Sequence, residues 1–209
     1  MRKLFLFIVC FILFGVGIKA QRFPQAVLPG DYPDPSILRD GKNYYMTHSP
    51  FYYAPGFLIW HSTDLIHWEP VCRALPEYEG SAMAPDLLKY QGRYYIYYPT
   101  STGENFVIYA DNIRGPWSKP VKLDVKGIDP GHVVGEDGKR YLFTNNGWIT
   151  PLSDDGLKVT GKSRKVYDGW EYPANWVTEG KDMYLESPKL LYKDGYYYMM
   201  SAEGETAGH

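Results

Sequence analysis

Four acidic residues sit beside proline, or one residue from it, at widely spaced points of the chain: Asp34-Pro35, Pro85-Asp86, Asp129-Pro130 and Glu186-Ser187-Pro188. A single aspartate next to a proline is an ordinary turn former. Four of them, each leading into a short apolar segment, make a repeated constellation, and carboxyl groups crowded together push one another's pKa values apart. That divergence is what lets chemically similar groups divide acid from base work, one staying protonated to give a proton and another ionised to take one.

The elements that must position these acids are written in the same repeat. Ser36-Ile37-Leu38 is followed by Asp40-Gly41 and Tyr44-Tyr45-Met46, and Leu87-Leu88 by Gln91-Gly92 and the aromatic run from Tyr94 to Tyr98. After Asp129-Pro130 come Asp137-Gly138 and Tyr141-Leu142-Phe143; after Pro188, Leu190-Leu191 lead to Asp194-Gly195 and Tyr196-Tyr197-Tyr198. An Asp-Gly pair between two short apolar runs signals a hairpin, because the tight turns that match strand twist need positive φ. Units of hairpins recurring at about 40 to 50 residues predict propeller blades, four-stranded sheets around a central channel. No stretch shows sustained helical periodicity, so the class is all-β in one domain. The first strand of each blade lines the channel, which predicts that Asp34, Asp86, Asp129 and Glu186, at the starts of those strands, converge at one mouth. The segments from Asp64 to Trp68 and from Asn112 to Trp117 read as turns that deliver a tryptophan onto an outer strand.

Composition narrows the partners. Aromatic residues are 17% of the chain and 20 of them are tyrosines, which suits strands and also suits sugars, whose apolar faces stack on rings. Met1-Arg2-Lys3, an apolar run from Leu4 to Ile18 and the small Ala20 have the order of a secretory leader over residues 1–20, cleaved after Ala20, leaving a domain over 21–209. The run is short for a spanning helix and interrupted by Gly15 and Gly17, and Cys10 lies mid-segment, away from a lipoprotein cleavage site. Cleavage removes three basic residues and no acid, making a chain of formal charge −2 more acidic and arguing against nucleic acid as a partner. It also leaves Cys72 as the sole cysteine, so no internal disulfide is expected. The expected location is therefore secreted or periplasmic, with no membrane association after cleavage.

The ordered segments Asp34-Pro35-Ser36-Ile37, Ala84-Pro85-Asp86-Leu87, Ile128-Asp129-Pro130 and Glu186-Ser187-Pro188 resemble those of glycoside hydrolase family 43. The family comprises five-bladed propeller β-xylosidases, α-L-arabinofuranosidases and arabinanases. The stretch from Phe51 to Leu65 is similar to the xylosidase and arabinofuranosidase branches in particular. The resemblance implies an incomplete five-bladed propeller, about three and a half blades ending at His209 inside the fourth unit. It implies an inverting hydrolase in which Asp34 is the general base that activates water and Glu186 the general acid. Asp129 would orient Glu186 and raise its pKa. Phe51, Met83 and Ala84 fall where the family lines its sugar pocket, Met83 standing where the family usually has tryptophan. Asp86 takes a structural place near the pocket, and His132 a hydrogen-bonding one. The implied substrate is an oligosaccharide or polysaccharide of plant hemicellulose, and neither a cofactor nor a catalytic metal is required.

Two other readings compete. A retaining β-fructosidase also uses an early Asp, a middle Asp and a late Glu, but its Asn-Asp-Pro-Asn-Gly and Glu-Cys-Pro signatures are missing here. A non-catalytic carbohydrate-binding propeller would have no need of all three acids.

Overall fold

Short alternating runs rich in aromatic and β-branched residues, punctuated by glycine turns, fold as antiparallel meanders. The computed structural model describes residues 26–78, 80–169 and 185–203; the leader expected over residues 1–20 lies outside them. Strands β1 (Ser36–Asp40), β2 (Asn43–Thr47), β3 (Gly56–Ser62) and β4 (Glu69–Leu75) pair in sequence order into the first blade. The second is β5 (Asp86–Tyr90), β6 (Arg93–Pro99), β7 (Asn105–Ala110) and β8 (Val121–Leu123), and the third β9 (Gly131–Val134), β10 (Arg140–Thr144), β11 (Trp148–Leu152) and β12 (Arg164–Lys165). Strands β13 (Leu185–Lys193) and β14 (Tyr196–Glu203) form a hairpin that opens a fourth blade. The described residues are thus all-β apart from a 3-10 turn at Asn145–Gly147.

Turn chemistry explains the hairpins. Gln91-Gly92 and Asp194-Gly195 both take positive φ, at 48° and 83° and at 53° and 83°, the backbone that a two-residue turn matched to strand twist demands. In the first blade Asp40 closes β1 against Asn43, so the turn is Gly41-Lys42, one position later than the Asp-Gly pair suggests. In the third, five residues separate the paired Val134 and Arg140.

Alternation along β6 serves two cores at once. Tyr94, Ile96 and Tyr98 face Phe57, Ile59 and Ile108 between the first and second blades, while Tyr95 and Tyr97 face Val107, Leu142 and Leu152 between the second and third. Each fully buried large side chain contributes about 1.5–3 kcal/mol, and with Cys72 a free thiol this burial is what joins the blades. The two tryptophans brace turns rather than strands: Trp68 Nε1 donates to Leu65 O and Trp117 Nε1 to Ile113 O, each at 3.2 Å. Trp68 stands one residue and Trp117 four residues before the strands expected to carry them, each indole hydrogen-bonding back into its own turn.

The channel strands are latched to one another. Leu87 N donates to Ser36 Oγ at 2.9 Å, and His132 N donates to Asp86 Oδ2 at 2.8 Å. The residue after each proline thus anchors the next blade's first strand. Gly131, at the same place in the third blade, has no side chain and approaches the fourth so closely that a Cβ would lie 1.9 Å from Pro188 O.

Candidate active site

Proline, rather than the acid, marks the repeat. Pro35, Pro85 and Pro130 each stand just before a channel strand, and the residues preceding the four prolines are Asp34, Ala84, Asp129 and Ser187. All four have positive φ, at 52°, 39°, 57° and 51°. This is uncommon for residues with a Cβ and disfavoured before proline, at a cost of order 1–3 kcal/mol each. The four acids therefore do not share one repeat position, as the sequence pattern suggests. Asp34 and Asp129 do; Asp86 lies two residues further on, on β5, and Glu186 one residue earlier, on β13. The register of β13 against β14 shifts between Glu186 and Lys189, a bulge that re-aims this segment.

Asp34 is fixed by a residue that sequence reasoning missed. Ser49 Oγ donates to Asp34 Oδ2 in a short hydrogen bond and accepts one from Ala84 N at 2.6 Å, while Ser49 N donates to Pro33 O at 2.9 Å. Ser49 is buried, so this hydroxyl ties the first blade's acid to the second blade's backbone. Its place follows from strand register alone, since Asp34 extends β1 to the position facing Ser49 beyond β2. Nothing in a lone serine could have marked it.

Asp129 is delivered by a connection held at every residue. Asn105 Nδ2 donates to Val125 O at 3.1 Å and to Gly127 O at 2.7 Å, Thr144 Oγ1 donates to Lys126 O at 2.6 Å, and Asn145 Oδ1 accepts from Ile128 N at 2.9 Å. Asp129 Oδ2 in turn accepts from Ser187 N at 3.2 Å, which ties it to the residue following Glu186. Burial pushes the Asp129 carboxyl above the ordinary aspartate range. The Ser187 N–H opposes that rise, Asp34 adds to it as a nearby like charge, and Lys189 opposes it. Asp34, Asp129 and the Glu186 segment are therefore gathered at one mouth of the channel.

The expected pocket residues lie around Asp34. Phe51, with φ 46°, bridges Ala82, its N donating to Ala82 O at 2.9 Å. Met83 is half-buried, with its N donating to Pro99 O at 3.0 Å, and Ala84 is buried. Phe51 also lines a cleft of about 380 Å³ with Tyr32, His48, Tyr53, Trp60 and Arg73, in which Met83 and Ala84 take no part.

Asp86 is structural, as expected. Besides the His132 N–H it accepts from Lys189 Nζ at 3.2 Å. His132 Nε2 accepts from Arg140 Nε at 2.9 Å, and its ring stacks on Tyr97 with centroids 5.9 Å apart. Burial first, then the Arg140 cation, push this imidazole down to about 4. It is thus neutral with the proton on Nδ1, a hydrogen-bonding role in keeping with the sequence expectation. Arg140 itself is fully buried between the rings of Tyr90 and Tyr95, 4.5 and 4.4 Å from their centroids.

With this geometry in place, comparison with known proteins is direct. The family model described as glycosyl hydrolases family 43 matches residues 23–209. A xylosidase/arabinosidase of Butyrivibrio fibrisolvens is 33% identical over 207 residues, covering 87% of this chain and 38% of that protein. A xylan 1,3-beta-xylosidase of a Vibrio species is 35% identical over 211 residues, covering 86% and 38%. The solved xylan beta-1,4-xylosidase of Bacillus halodurans shares 32% identity and a TM-score of 0.73 over 88% of this chain and 39% of its own. The chain spans well under half the length of these relatives. The family's solved structures are five-bladed β-propellers, and three blades and a hairpin of that fold are described here.

Proposed function

The chain belongs to glycosyl hydrolases family 43, and from that premise we propose that the whole protein is an inverting glycosidase of plant hemicellulose fragments. It cleaves xylosidic or arabinosidic bonds, acting from the chain end on short xylan or arabinoxylan oligosaccharides. Asp34 is the base: Ser49 engages Oδ2, and Oδ1 takes a proton from the water that attacks the anomeric carbon. Glu186 is the acid and gives its proton to the departing glycosidic oxygen, so the proton lost by water is balanced by the one the leaving alcohol gains. Asp129 anchors the Glu186 segment and keeps the acid protonated, while Phe51, Met83 and Ala84 line the sugar pocket. The leader over residues 1–20 would carry the protein to the cell exterior or periplasm.

The observation that carries this reading is the meeting of Asp34 with Asp129 and, through the Ser187 N–H, with the Glu186 segment, across three blades. An inverting pair needs its carboxyl groups about 6.5–9.5 Å apart, with room for a water, and groups held on separate blades suit that separation. Asp34→Asn in the full-length protein should lower kcat on aryl xylosides and aryl arabinofuranosides by about 100- to 10,000-fold, the worth of a general base. A variant that keeps full activity would remove Asp34 from the reaction.

A further inference from the structure

Lys189 occupies, in the fourth blade, the place that Ser36, Asp86 and Gly131 hold in the others, one residue after proline. Its ammonium reaches back across the channel instead of latching forward. Nζ donates to Asp86 Oδ1 at 3.2 Å, to Pro130 O at 3.0 Å and, more weakly, to Pro85 O at 3.4 Å. Three donors thus meet three acceptors from the second and third blades, with the Lys189 side chain 31% and the Asp86 side chain 12% exposed. Pro85 and Pro130 follow Ala84 and Asp129, so this one cation grips the backbone beside two of the four mouth positions while standing three residues from Glu186.

We propose that Lys189 is a positioning residue of the catalytic mouth, holding Asp129 in place relative to the Glu186 segment and supplying the positive charge that keeps the proton on Glu186 rather than on Asp129. The proposal rests on the catalytic reading above. Asp129 is half-buried and feels the charge of Asp34 from the first blade, while its Oδ2 accepts from the N–H of Ser187, the residue after Glu186. Lys189 is the cation whose charge opposes that crowding. Other charged groups of the region are spoken for: Lys126 lies over the Trp148 ring at 4.0 Å, and Arg140 bonds the neutral His132 between the second and third blades. Lys189 bonds the carbonyl of Pro130, the residue after Asp129, and its charge favours an ionised Asp129. Without Lys189 part of the population carries a proton on Asp129, and that form no longer helps keep Glu186 protonated.

The sign of the pH response separates this role from a purely mechanical clamp. Removing a positive charge raises every apparent pKa of the coupled carboxyls, and exposing one lowers them. In the full-length protein, Lys189→Met should lower kcat about tenfold with a smaller change in KM and move both limbs of the kcat/KM profile to higher pH by about one unit. Asp86→Asn, which leaves the ammonium without its counter-charge, should move them the other way, and Lys189→Arg should leave them in place. A Lys189→Met variant in which the limbs of the rate profile and the Asp129 carboxyl both titrate as in the parent would overturn the proposal, whether or not activity is lost; should that variant fail to fold, the direction of the Asp86→Asn shift decides. Carbon-13 titration of the Asp129 carboxyl in the same variants separates the two readings. Midpoints that move in opposite directions while the rate profile stays still would uphold Lys189's effect on Asp129 and fault the catalytic assignment instead.

Discussion

Asp129 pays a stability penalty for its position, because burial disfavours its charge. An acid whose folded pKa is raised binds its proton more readily in the folded state than in the unfolded one. Stability is therefore highest below the ordinary aspartate pKa, falls as pH rises through the raised value and stays lower above it. Asp129→Asn, whose amide oxygen still accepts the Ser187 N–H, should melt higher than the parent at pH 7 and lose that advantage near pH 3, while activity collapses. Thermal melts at the two pH values check it. For the acid, Glu186→Ala should cripple substrates with poor leaving groups, spare aryl glycosides of acidic phenols, and abolish the basic limb of the pH profile on the latter. Equal losses on both substrate types would exclude Glu186. Ser49→Ala removes the hydroxyl that fixes Asp34 and orphans Ala84 N, so kcat should fall about 10- to 100-fold with KM nearly unchanged. Asp34 and Asp129 were legible in the sequence because an acid before proline is unusual when repeated. Ser49 and Lys189 were not, since a serine or lysine gains its role only from what strand register places opposite it.

At the scale of elements, each blade's opening hairpin was readable from aromatic alternation and turn residues, down to the positive φ at Gln91-Gly92 and Asp194-Gly195. The four acids are not equivalent because proline, not the acid, sets where the channel strands of the first three blades begin, and the acids stand at different offsets from it: Asp34 and Asp129 just before, Asp86 just after, Glu186 two residues before. Two glycines show how unequal such positions are. A Cβ at Gly41 meets nothing within 4 Å, whereas one at Gly131 would lie 1.9 Å from Pro188 O. Gly41→Asn should cost less than about 1 kcal/mol, asparagine tolerating the positive φ. Gly131→Ala should cost roughly 3 kcal/mol or more, because β9 and β13 must separate, and should take activity with it. Urea unfolding of both variants measures the contrast.

Across the whole molecule, the propeller class followed from the repeat, whereas the Arg140 site behind the mouth left no signal: a buried arginine between tyrosines looks like any other basic residue in a strand. That site makes the fold acid-sensitive. His132 is held neutral by burial and Arg140, so its proton is taken up by the unfolded state near pH 6.5 and by the folded state only near 4. Stability should fall as pH drops through that window, by about 3 kcal/mol, and His132→Gln should flatten the fall. The central claim concerns what the mouth does with its carboxylates. It is tested most directly by following an aryl xyloside or aryl arabinofuranoside with the full-length protein by proton NMR and reading the anomer that forms first. Asp34 as base and Glu186 as acid, on opposite faces of the sugar, require the inverted anomer before mutarotation. A retained anomer would mean a covalent intermediate on one of these carboxylates and would contradict the roles assigned to them.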